Sequence, residues 1–151
     1  MRFLFPTASI ALLPLLVLGA PAASAGDAED AVDYRQGAMN VFSWNLGHMG
    51  AMVKGEVPFD TAAFQGYAKD LAASARLDVL KGFPEESVTD ESDAKDEIWL
   101  NWAAFESKLQ DLRTESAKLA EVTAGGDEAA IKAQFGATRK TCKACHDDYK
   151  Q

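Results

Sequence analysis

Near its C-terminus the chain reads Cys142-Lys143-Ala144-Cys145-His146, which gathers both cysteines and one of the two histidines into a single pentapeptide. On a helix, residues three and four apart share a face. Two thiols so placed can each form a thioether with a vinyl group on one edge of a porphyrin. The imidazole that follows can swing under the ring to the iron. Cys-x-x-Cys-His is the attachment pattern of c-type haem for this reason. Three other chemistries could use the same residues. A thioredoxin-like dithiol needs a βαβ setting, and no stretch of this chain alternates usefully with period two. A zinc site needs a fourth ligand, and His48 is the one other histidine. A Cys142–Cys145 disulfide would close a very short loop and gain little. A haem-free exported metal or dithiol protein is thus the alternative from a different class.

The elements that must carry this motif are helical. Apolar residues recur three and four apart in four stretches. The first runs Val32, Gln36, Met39, Phe42, Leu46, Met49, Val53 and stops at Lys54-Gly55-Glu56-Val57-Pro58. Asp60 or Thr61 can cap the second, whose inward face reads Phe64, Ala68, Leu71, Ala75 before Gly82 and Pro84. The third reads Ile98, Trp102, Phe105, Leu109, Leu112, Ser116, Leu119 and ends at Gly125-Gly126. Asp127 can cap the fourth, which reads Ile131, Phe135, Thr138, Cys142, Cys145, Tyr149. Four amphipathic helices with short connections predict an all-α, antiparallel four-helix bundle. Cysteines on the stripe of helix four, and Gln36 beside Arg35 on that of helix one, place something polar or covalently attached between those two helices.

Residues 1–25 read as a secretory signal peptide. Arg2 is the positive n-region, Ile10-Ala11-Leu12-Leu13-Pro14-Leu15-Leu16-Val17-Leu18 the apolar run, and Ala23-Ser24-Ala25 the small-residue site before cleavage between Ala25 and Gly26. Pro6 and Pro14 interrupt the run and speak against a membrane anchor. The domain is then residues 26–151, exported and without membrane insertion. With 15 Lys and Arg against 23 Asp and Glu, the net charge is −8. So acidic a chain argues against nucleic acid as a partner, which needs clustered cations. The exception is local: Lys132, Arg139, Lys140, Lys143 and Lys150 outnumber Asp147 and Asp148 around the motif. Such a basic collar could steer an acidic redox partner. The stretch from Glu85 to Glu97 is strongly acidic and reads as a solvated loop.

With a signal peptide, four helices and a haem motif in the last, the chain resembles the cytochromes c′, within the class II c-type cytochromes, over essentially all of 26–151. Tyr34-Arg35-Gln36-Gly37-Ala38-Met39 is similar to the family's helix-one segment, and Met52 to Asp60 to its first connection. Ile98-Trp99 resembles the start of its third helix; Phe135-Gly136 and Thr141 to Tyr149 resemble its last. The resemblance implies a left-handed bundle that forms a homodimer through its first two helices. It implies one haem c per chain on Cys142 and Cys145, with His146 as proximal iron ligand and Arg35 and Gln36 in contact with the haem and its propionates. Lys150 stands where most relatives carry Arg beside the proximal face, which keeps the charge without the planar fork.

Met39 matches the family's distal position, where a bulky apolar side chain covers the iron without binding it. The expectation is a non-enzymatic periplasmic haem protein that transfers electrons. Its high-spin, five-coordinate iron would be open to NO and CO. Were the Met39 thioether to ligate, the protein would instead be a low-spin electron carrier. His48 falls two residues from Leu46, on the far side of the helix from the core stripe, and reads as a surface residue. Trp44, Trp99 and Trp102 read as anchors at helical positions.

Overall fold

A computed structural model describes residues 25–85 and 87–151 of the chain. The expected signal peptide lies outside these residues except for Ala25, where the first helix begins. Helix α1 runs Ala25–Lys54, α2 Thr61–Ser74, the short α3 Glu97–Leu100, α4 Trp102–Ala124 and α5 Glu128–Tyr149. A 3-10 turn occupies Val79–Gly82. The four long helices form a four-helix bundle. No described helix is long and apolar enough to cross a membrane.

The ends of the helices follow from local chemistry. Gly55 takes a left-handed φ of 75° past the end of α1. That lets its N–H reach Met52 O at 3.1 Å and the N–H of Glu56 reach Ala51 O at 2.9 Å, the paired bonds of a Schellman stop. Asp60, rather than Thr61, caps α2: its Oδ1 accepts from the N–H groups of Ala62 at 2.9 Å and Ala63 at 3.0 Å. Asp127 does the same for α5, through Ala129 and Ala130.

The third stretch is not one helix. Asn101 leaves helical geometry at φ −129°, ψ 43° and separates α3 from α4. Its side chain donates back to Glu97 O at 3.3 Å, a local bond that competes with the helix ladder. The break frees the Trp99 indole to donate to the carbonyls of Phe83 and Pro84, both at 3.1 Å, which ties α3 to the connection after α2.

Around the bundle α1 packs on α2, α2 on α4, and α4 on α5, while α1 and α5 make no comparably close backbone approach. The main core lies among the first three contacts: Phe64, Leu71, Leu119 and Ile131 are fully buried. Phe64 meets Phe135 edge to face at 5.7 Å. Between α1 and α5 the ring stays open, and the cysteine motif lies there.

Candidate functional site: a cavity between α1 and α5

One wall of a cavity of about 540 Å³ is built by α5, which contributes Arg139, Thr141, Cys142, Lys143, Cys145 and His146. The facing wall is α1, with Met39, Phe42, Ser43, Leu46, Gly47 and Gly50, and α4 supplies Leu109 and Leu112. Helical spacing alone brings these groups together. Residues 39, 43, 46 and 50 recur along one face of α1, and 142, 145 and 146 along one face of α5. The α1 wall is open because Ser43, Gly47 and Gly50 are small.

Cys142 and Cys145 are free thiols, each half-buried. Burial pushes both thiols up, and Cys145 reaches about 11 despite the opposing charge of Lys108. Neither is a thiolate at neutral pH, so neither resembles a primed redox cysteine. His146 is exposed at the cavity's edge. Partial desolvation, then the positive charge of Lys150, lowers its imidazole from the ordinary value, with Asp147 opposing. The neutral ring is therefore favoured, and that is the form that binds a metal. His48 does not line this cavity. It lies half-buried between the Trp44 edge, 4.4 Å away, and the Tyr67 face, stacked at 4.8 Å. It thus cannot serve as a fourth ligand to zinc beside the two cysteines. Among the described residues no group of His, Cys, Asp and Glu could hold a metal ion by itself.

The expectation that Gln36 shares the stripe of helix one with Arg35 needs correction. Only Arg35 is on the buried stripe; Gln36 is exposed, and its Nε2 donates to Glu91 O at 2.9 Å. Neither lines the cavity. The Arg35 guanidinium is turned toward the connection between α2 and α3. It donates to Gly82 O at 2.7 Å, Ser87 Oγ at 2.8 Å, Ser87 O at 2.7 Å and Ser92 Oγ. The Phe83 ring lies 4.9 Å beneath it. Burial works against its charge, and these neutral acceptors and the ring face compensate. The reason for the difference is geometric. One residue step turns a helix by about 100°, so adjacent positions cannot share a narrow stripe. Gly82 makes the approach possible, since a Cβ there would come within 2.8 Å of Arg35 Cβ.

A sequence model of the cytochrome c′ family matches residues 30–150. Cytochrome c′ of Halomonas halodenitrificans is 39% identical over 128 residues, which cover 81% of this chain and 96% of its own. Among solved structures, cytochrome c′ from Shewanella frigidimarina superposes with a TM-score of 0.79 at 39% identity, over 82% of this chain and 96% of that one. A nitric oxide complex of a cytochrome c′ mutant from Alcaligenes xylosoxidans superposes with a TM-score of 0.74 at 34% identity, over 82% of this chain and 95% of that one.

The chain belongs to the cytochrome c′ family.

Haem c is the cofactor that this family implies, and the residues present fit it. The thiols and the imidazole stand on one wall and apolar side chains on the other. Lys54, Lys108, Arg139 and Lys143 line the cavity; the three lysines pair with Glu56, Asp148 and Asp147 beyond its lining, and Arg139 is a cation that could meet a propionate of a haem. A volume of about 540 Å³ is within the range of cofactor clefts. Five lining residues were not marked as site residues by the sequence: Ser43, Gly47, Gly50, Lys54 and Lys108. The first three carry a usable signal, small residues at helical spacing from Met39 and Leu46. Lys108 carries none, because its place is set by an ion pair across helices to Asp148 at 3.0 Å.

Proposed function

We propose that this chain is a periplasmic electron carrier holding one haem c, covalently attached, with five-coordinate iron that also admits NO and CO. The observation that carries the reading is the cavity itself. Cys142, Cys145 and His146 line it from α5, and the α1 wall opposite is apolar apart from Ser43 and, at its end, Lys54. A haem held there would supply a one-electron redox centre able to take a diatomic ligand. The residues of the chain do the rest. Cys142 and Cys145 would hold the haem through thioethers, and the neutral His146 would ligate its iron. Phe42, Leu46, Leu109 and Leu112 exclude water. Met39 crowds the α1 side, so that small uncharged molecules enter and larger ones do not. The reading is of a carrier and gas binder rather than an enzyme.

Met39 also favours a second reading, since it brings a thioether sulfur to the cavity from α1. Ligation by Met39 would make the protein a low-spin carrier. Visible spectra of the purified protein, oxidised and reduced, separate the two. High-spin bands are expected; a sulfur-to-iron band at long wavelength would establish Met39 ligation. Lack of a Soret band after export from a host competent in haem attachment would leave a haem-free protein.

The reading includes a homodimer through α1 and α2. Tyr34, Gly37, Val41, Trp44 and His48 recur along one face of α1, and Trp44 is 65% exposed. Tyr67 of α2 adjoins this stripe through His48. Trp44→Glu should convert the dimer to a monomer in sedimentation at micromolar concentration. A wild type that sediments as a monomer would remove the dimer from the proposal.

A further inference from the structure

The imidazole of His146 is exposed, and among the described residues no side chain hydrogen-bonds its ring. A metal-binding histidine is ordinarily oriented by a bond to its other ring nitrogen. Here the orientation must come from the backbone that carries it. That backbone ends one turn later, where the N–H of Lys150 donates to His146 O at 3.1 Å.

The end of α5 is not free. Residues 93–95 run antiparallel to 149–151: Lys95 N–H donates to Tyr149 O at 3.0 Å, and Gln151 N–H to Asp93 O at 2.8 Å. Lys150 Nζ pairs with Asp93 at 2.8 Å. One residue before this ladder, Ser92 is buried, and its Oγ faces two ways. It accepts from the Ala94 N–H at 3.2 Å, which shapes the turn into the ladder, and from Arg35 Nη2. Arg35 therefore holds the loop at Ser87 and Ser92, Gln36 holds it at Glu91, and the loop holds the last residues of α5.

We propose that Arg35 is a positioning residue for His146, acting through Ser92 and the 93–95 ladder. This rests on the reading of His146 as the proximal ligand. Arg35 suits the task because a guanidinium fork fixes two acceptors in one plane, which a lysine ammonium does not. The connection is continuous from the middle of α1 to the residue that closes the helical turn at His146. It runs through residues that do not line the cavity.

The test uses the haem-loaded protein with Ser92→Ala, Ser92→Thr, Arg35→Gln and His146→Ala. Ser92→Ala removes a single hydroxyl and keeps the fold. Amide exchange at Lys95 and Gln151 should then be about tenfold faster, as for the loss of one buried hydrogen bond. The iron–histidine stretching band of the reduced protein should shift or broaden. Ser92→Thr should restore both, and Arg35→Gln should reproduce both. A band unchanged in Ser92→Ala would overturn the proposal. So would a shift in Arg35→Gln alone, which would mean that Arg35 acts on the haem directly. The parent reading is tested separately by His146→Ala, since a band that survives it would identify a different ligand.

Discussion

Around Leu119 side chains from the long helices close a dry core, whereas around Cys142 two of the same helices stand apart. In the first region Phe64, Leu71, Leu119 and Ile131 have no exposed surface. Even the polar residues there are internally satisfied: Thr138 Oγ1 donates within hydrogen-bond reach of both Gln134 O at 3.0 Å and Glu115 O at 3.1 Å. In the second region Met39, Leu46, Cys142 and Cys145 are only partly buried, and Ser43, Gly47 and Gly50 leave the α1 wall low. Helices α1, α4 and α5 run through both regions, so the difference is not one of helix formation. It comes from side-chain volume on two facing stripes. One region is finished by its own side chains, and on the proposed reading the other is finished by the haem.

The largest effect should come from removing what attaches the haem. Cys142→Ala with Cys145→Ala should abolish covalent haem entirely and lower the thermal midpoint, because part of the core goes with it. Acid-acetone extraction should strip no haem from the wild type; complete extraction would show that there are no thioethers. In the dry region, Phe64→Ala should cost about 3–5 kcal/mol by urea denaturation. The visible spectrum should stay the same, because Phe64 does not line the cavity. If both substitutions altered the spectrum alike, the two regions would not be separable.

Met39→Ala probes the open side. Truncation removes bulk from the α1 wall and adds no donor, so CO should bind the ferrous form about tenfold faster, as for a barrier lowered by about 1.4 kcal/mol. Were Met39 a ligand, the wild type would be low-spin and the variant high-spin. Equal rates and equal spectra in stopped flow would move Met39 away from the iron.

The smallest effect is a pH dependence that only the haem-free chain should show. The Cys145 thiol is pushed up to about 11 when folded. A group whose folded pKa is raised stabilises fully below its unfolded value and loses that contribution as pH rises through the folded one. The haem-free chain should therefore lose about 1–2 kcal/mol from about pH 8.5 upward, with solvent screening at a part-exposed site reducing the full linkage value. A thioether sulfur does not titrate, so the haem-loaded protein should stay flat over this window. Denaturation midpoints of the two forms between neutral and alkaline pH make the comparison. A parallel decline would detach the effect from Cys145.

Much of this could be read before any fold was known, and the reasons are local. The spacing of Cys142, Cys145 and His146 is set by one helix. Asp60 and Asp127 cap through bonds to residues two and three positions on, and Gly55 stops α1 through its own backbone freedom. Family membership was legible for the same reason, as short segments of residues in order. The break at Asn101 was not, because its reward is distant: the Trp99 indole reaches the Phe83 and Pro84 carbonyls.

The sequence by itself determined four amphipathic helices, the haem motif and the stripe that carries Met39, since each depends on periodicity within one segment. Only the tertiary structure decided that Arg35 turns to Ser87 and Ser92 while Gln36 is left at the surface, and that Lys108 meets Asp148 at the cavity's rim. It also decided that the acidic loop is bound at both ends, to α1 and to the last residues of α5. Periodicity states which residues share a face of one helix. Which element that face meets is settled by the joint packing of all of them, where a buried cation takes whatever acceptors the assembled bundle brings within its reach.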